Sequence, residues 1–210
     1  MEDIKYSEIL RINNNFSKEL PDKKYRIKVL SNINTSQLNE ILEYGLRMNS
    51  IPAISESGDY DNIVQDSLKY GNLDLIIIFW ELCNIFDGFQ FKSELLSDYQ
   101  LERVVKKITL DIDFVFRNVQ NTSLVFVNKF TSLSFSSANI KNSNFDKLAS
   151  RLNKVLIKRA TSNIKLIDLE KVLINIGVNK ALDLRYYYSS KALYTVSFFK
   201  KYVEFIRPFI

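Results

Sequence analysis

Apolar residues at Ile4, Ile9, Leu10, Ile12 and Phe16 fall on one side of a helix, and the pattern stops in an Asn-rich stretch before Pro21. Residues 1–23 are therefore expected to form a leading helix. Residues 25–30 switch to a short strand-like run, Ser31-Asn32-Ile33-Asn34-Thr35 is a polar turn, and Leu38, Ile41, Leu42 and Leu46 return to helical spacing. This βα unit is followed by a strand over 51–55, a helix over 61–70, and an almost unbroken apolar run over 73–80. Such a run is typical of a strand buried on both faces, so the third strand is expected at the centre of the sheet.

The same reading gives a long helix over 95–119, a fourth strand over 124–130, a helix over 145–160 and a fifth strand over 164–168. A short helix over 169–176, the segment 181–191 and an amphipathic helix over 196–206 complete the chain. Strands alternating with helices predict an α/β fold: a three-layer α/β/α sandwich, doubly wound around a mostly parallel five-stranded sheet, flavodoxin-like in its right-handed crossovers. No repeat or linker divides residues 24–210, which read as a single domain. The Ser- and Asn-rich stretch 132–144 is the candidate mobile loop.

Composition narrows the classes. With 210 residues, 46% hydrophobic and 25% charged, the chain should bury roughly 70% of its unfolded surface. The net charge of +5 and pI near 9.1 favour acidic partners. The densest basic runs, over 154–159 and 200–207, alternate with apolar residues and read as solvated helix faces, so nucleic acid is not an expected partner. Cys83, the one cysteine, cannot form an intramolecular disulfide. The longest apolar run is far short of a membrane span, and a cytoplasmic protein without a membrane role is expected. The five glycines form neither a dinucleotide fingerprint nor a P-loop, and no Cys or His cluster has zinc spacing, so neither cofactor nor metal is expected. Asp111-Ile112-Asp113 has the outline of a phosphatase nucleophile motif but sits within a helical repeat of apolar residues.

Open α/β sheets bind ligands beyond the carboxyl ends of their strands. That rule points to Ser31 and Asn32 after the first strand, Asp59 after the second, Glu81 after the third, Asn128 near the end of the fourth and Asp168 after the fifth. Asp183 and Arg185, among tyrosines before the last helix, could grip a phosphate or carboxylate. Against these roles stand simpler ones: Thr35 or Asn34 capping a helix, Asp168 as an N-cap, Glu81 paired with a surface lysine, and the 183–191 tyrosines packed at an edge. Ser31 is the candidate nucleophile. The sequence contains no histidine, however, and a Ser-His-Asp mechanism requires imidazole to take up the hydroxyl proton and return it to the leaving group.

Lys28-Val29-Leu30-Ser31-Asn32 with Thr35, Gly58-Asp59-Tyr60-Asp61, Leu73-Asp74-Leu75-Ile76-Ile77-Ile78, Lys165-Leu166-Ile167-Asp168-Leu169 and Asp183-Leu184-Arg185-Tyr186-Tyr187-Tyr188 occur in this order. Together they resemble the N-terminal SGNH-hydrolase-like domain of FkbH-type proteins, over about residues 24 to 208. In that family the domain precedes a haloacid-dehalogenase-type (HAD) module that loads a glyceryl or related unit onto an acyl carrier protein, in polyketide and surface-polysaccharide gene clusters. The chain ends where that module would begin. The resemblance implies a non-catalytic substrate-holding or carrier-docking domain, with an acyl carrier protein or a HAD-type module, in cis or in trans, as partner. The alternative it leaves open is a divergent esterase or acyltransferase using Ser31 with a carboxylate or lysine base. Leu30-Ser31-Asn32-Ile33 stands where an SGNH nucleophile block would read Gly-Asp-Ser, and Trp80-Glu81-Leu82-Cys83-Asn84 where a Gly-X-Asn-Asp block would stand.

Overall fold

The computed structural model describes Met1 and residues 4–70, 73–132 and 143–210. Most of the 132–144 segment lies outside the described residues. In chain order the elements are α1 (Tyr6–Phe16), β1 (Tyr25–Ser31), α2 (Ser36–Arg47), β2 (Ala53–Ser57), α3 (Ile63–Asp66) and β3 (Leu75–Phe79). They continue with α4 (Phe89–Lys92), α5 (Asp98–Asn118), β4 (Leu124–Asn128), α6 (Asn144–Arg159) and β5 (Ile164–Ile167). The last are α7 (Leu169–Ile176), α8 (Val178–Ala181), α9 (Leu184–Ser190) and α10 (Val196–Ile206).

The five strands form one parallel sheet in the order β2-β1-β3-β4-β5. The apolar run of β3 therefore does lie at the centre, and all five of its residues are sealed from solvent. Helices cover both faces. On one, α2 packs against α1 and α10, and α10 against α7; on the other, α5 packs against α6 and α3. Registers of Ser31 with Phe79 and Asn128 with Ile167 bring the carboxyl ends of four strands to one edge.

Local chemistry sets the element ends. Ser97 and Gln100 form a capping box that starts α5, Ser143 accepts from the Asp146 amide at the start of α6, and Thr195 does the same from Phe198 for α10. Strand β2 begins two residues later than the pattern suggests, because Ser50 at φ 62° ends the preceding turn and the Ile51 amide still bonds back to Leu46. The helix expected over 61–70 contracts to α3, with Asp61 at φ 54° ahead of it.

The leading helix is fixed to the sheet by a buried cation. Arg47 donates from Nε to the Ala53 carbonyl at 3.0 Å and from Nη1 to the Asn13 carbonyl at 3.3 Å. Its Nη2 pairs with Glu43 at 2.8 Å. One guanidinium thus joins α1, α2 and β2, with Ile9 of α1 buried nearby in the core.

Candidate functional site

Chain continuation past β1 places Ser31 and Asn32 at the middle of the sheet edge, both buried. The Ser31 hydroxyl donates to the Ile33 carbonyl at 2.8 Å and accepts from the Ile33 amide at 3.0 Å, a closed local ring. Asn32 turns its side chain across the sheet. Its Nδ2 donates to the Glu81 carbonyl at 2.8 Å and its Oδ1 accepts from the Glu81 amide at 2.7 Å, continuing the β1–β3 pairing with a side chain in place of backbone. Asn84 completes the cluster, donating to the Asn32 carbonyl and to the Tyr60 hydroxyl.

A cleft of about 630 Å³ opens above this cluster, lined by Ser31, Asn34, Ser57, Gly58, Tyr60 and Lys191. A second hollow of about 380 Å³ shares Asn34, Ser36 and Ser190 with it and runs toward Asp183, Tyr186 and Thr195. Helix α9 thus forms a wall of both. At the mouth, Thr35 is the N-cap residue of α2 but makes no side-chain cap hydrogen bond, and Asn34 accepts from the Ser36 amide at 3.1 Å in the turn before it.

The loop after β2 is shaped by a buried carboxylate. Asp66 accepts from the Asp59 amide at 2.6 Å, from Lys69 at 2.8 Å and from Asn62 at 3.1 Å. Burial alone would raise its pKa, but the hydrogen bond from Lys69 and the others hold it below the usual carboxylate range. Gly58 lies against this group, where a Cβ would come within 2.5 Å of Asp66 Oδ2 and 2.8 Å of a Leu30 methyl. The Asp59 side chain is exposed and pairs with Lys69.

Glu81 is not the surface partner of a lysine. Its carboxyl is buried and accepts from the Tyr194 hydroxyl at 2.8 Å, and burial pushes its pKa up to about 7. Asp168 engages a different partner, Lys129 at 3.4 Å, and makes no cap hydrogen bond to α7. The two carboxyl groups thus have separate environments. Asn128 accepts from the Tyr202 hydroxyl at 3.0 Å beneath α10, while its Nδ2 has no hydrogen-bond partner. Cys83 is buried, and desolvation drives its thiol pKa up; Tyr187 bonds to its carbonyl at 3.1 Å.

Asp183 begins α9, and its carboxylate holds the Arg185 guanidinium at 2.8 and 3.1 Å. The fork expected to grip an anion is therefore occupied from within the chain. The structure brings Ser31, Asn32 and the Glu81 backbone together, puts Asp183 on the adjoining hollow, and leaves Asp59, Asn128, Asp168 and Arg185 with separate partners. Among the described residues no group of three His, Cys, Asp or Glu side chains could hold a metal, and no helix is long and apolar enough to cross a membrane.

No family model matches the chain, and no curated protein matches it in sequence. Solved structures do. The N-terminal part of protein BF1531 from Bacteroides fragilis, which contains a phosphatase domain and is complexed with Mg, superposes with a TM-score of 0.71 at 14% identity, over 96% of this chain and 55% of that one. The salicylyl-acyltransferase SsfX3 from a tetracycline biosynthetic pathway superposes with a TM-score of 0.53 at 12% identity, over 89% of this chain and 54% of that one. The chain spans about half the length of either. At such identities what is shared is the fold, an α/β sandwich that occurs in the N-terminal part of a phosphatase-containing protein and in an acyltransferase.

Proposed function

We propose that this chain is the FkbH-like N-terminal domain type, a non-catalytic cytoplasmic module that holds a substrate or docks an acyl carrier protein beside a HAD-type module in polyketide or surface-polysaccharide biosynthesis. The observation that carries the reading is the state of Ser31. Its hydroxyl is closed on the Ile33 backbone, and the sequence has no histidine to take its proton. Of the alternative bases, Glu81 is bonded to Tyr194, and Lys191 pairs with Asp87 at 3.0 Å. Substrate would be held in the cleft above Ser31 and Asn32. Support for a HAD-type neighbour comes from the phosphatase domain contained in the similar Bacteroides protein.

The second reading, a divergent esterase or acyltransferase using Ser31, draws on the shared fold of the salicylyl-acyltransferase and on the cleft beside that hydroxyl. Exposure to a serine-directed fluorophosphonate followed by intact-mass measurement separates the two. No adduct is expected; an adduct abolished by Ser31→Ala would overturn the non-catalytic reading. Titration with acyl carrier protein should give salt-sensitive binding, and no complex at low ionic strength would defeat docking.

A further inference from the structure

The positive charge of this chain is concentrated in one layer. Helices α5 and α6 together contain nine Lys or Arg against five Asp or Glu, and so account for four of the chain's five net positive charges. The acids in this layer are largely engaged or peripheral. Glu102 pairs with Arg151 at 2.6 Å and Asp113 with Arg159 at 2.8 Å, two bridges that tie the helices side by side. Asp98 and Asp146 lie in the first turns, where carboxylates complement the helix dipole.

The charged side chains left exposed without an ion-pair partner are mostly basic. Arg103, Lys106 and Arg117 on α5 and Lys147, Lys154 and Lys158 on α6 are exposed, and none has an ion-pair partner among the described residues. On α5 the spacing of positions 99, 103, 106, 110 and 117 puts Tyr99 and Leu110 on the same outer stripe as these cations. Tyr99 is 72% exposed and Leu110 is 60% exposed. Arg103 lies over the Tyr99 ring at 6.0 Å, so the stripe offers apolar contact area between its positive charges.

We propose that the outer face of α5 and α6 docks an acidic helical protein surface, which under the docking reading above is the acyl carrier protein. The inference rests on that reading and gives it a place distant from the cleft's lining. Discrete carboxylates on a partner helix match cations at helical spacing, and apolar side chains between them meet Tyr99 and Leu110. A nucleic-acid backbone fits less well, because its evenly spaced phosphates offer no apolar counterpart to Leu110, which is 60% exposed between the cations.

The experiment uses acyl carrier protein as the probe. Its affinity is measured by calorimetry at low salt for the wild type, for the triple variant Lys106→Glu, Lys154→Glu, Lys158→Glu, and for the control Lys5→Glu, Lys18→Glu, Lys171→Glu, which makes the same charge change away from these two helices. The face variant should bind about tenfold more weakly or worse, and the control should stay within about twofold. Leu110→Ser should also weaken binding without changing its salt dependence. If carrier protein binds and both triple variants behave alike, the assignment of this face is wrong while docking stands. If wild type does not bind at all, the docking reading itself falls, and this proposal with it. Retention of a single-stranded oligonucleotide or anionic vesicles in preference to carrier protein, lost in the face variant, would overturn the choice of partner.

Discussion

Asn32 and Glu81 are joined twice, side-chain amide to backbone amide and carbonyl, at 2.7 and 2.8 Å. The buried Glu81 amide just past the central strand thus depends on one asparagine, which also shares the Glu81 carbonyl with the Asn84 amide. Asn32→Ala strips the Glu81 amide of its acceptor and leaves the carbonyl with the Asn84 amide alone, at 3.2 Å, so the expected cost is about 1 to 3 kcal/mol of unfolding free energy in urea titration. Asn32→Asp should cost at least as much, since a carboxylate cannot donate to the Glu81 carbonyl. Stability within about 0.5 kcal/mol of wild type for either variant would refute the clamp.

The buried Glu81 carboxyl makes stability depend on pH in a defined direction. Its folded pKa is raised from 4.5 to about 7, so between these values the native state holds a proton that the unfolded chain has released. The contribution is fully present below about pH 4.5 and is lost as pH rises through 7. Measured as the difference between wild type and Glu81→Gln, stability should fall by about 3 kcal/mol across that window. A difference curve that is flat, or that rises, would contradict the buried neutral carboxyl.

Gly58 has no room for a methyl group. A Cβ there would meet Asp66 Oδ2 at 2.5 Å and displace the carboxylate that holds the Asp59 amide. Gly58→Ala should lower stability by about 1 to 3 kcal/mol. Asp66→Asn weakens the pairing with Lys69 and should be destabilising at neutral pH but nearly neutral in acid, where wild-type Asp66 is itself protonated. Parallel thermal melts at two pH values check both.

Tyr202→Phe removes the hydrogen bond to Asn128 Oδ1, whose companion Nδ2 has no partner among the described residues, and should cost about 1 to 3 kcal/mol. Adding Asn128→Leu should recover part of that loss, because an apolar pair has no polar group left to strand. Additive losses in the double-mutant cycle would show that the two side chains are not coupled.

The order of elements is legible in the sequence wherever apolar spacing is regular. Helices α7 and α10 span the residues their periodicity marks, and β3 is central as its unbroken apolar run implies. Residues 80–97 are not legible, since Leu82, Cys83 and Phe89 are buried in short turns around Gly88 at φ 70° and follow no repeat. The strand-end rule finds Ser31, Asn32 and Glu81, but their partners lie far along the chain: 49 residues from Asn32 to Glu81 and 113 from Glu81 to Tyr194. Arg185 differs in that its partner Asp183 is two residues away and already takes two of its N–H groups. Spacing reveals which residues reach the sheet edge, and only tertiary contact reveals which of them remain available to a ligand.

The joint made by Arg47 bears on how the chain can be shortened. A polypeptide begun at Lys24 would keep every strand, yet it would lose the carbonyl of Asn13 and the hydroxyl of Ser17 that receive two of the arginine's bonds, and it would expose the apolar pocket vacated by Ile9. A cation enclosed in protein with acceptors missing is among the costlier defects a fold can carry. The first helix is thus a working part of the globule's foundation, and a trimmed version should melt early or collect in inclusion bodies.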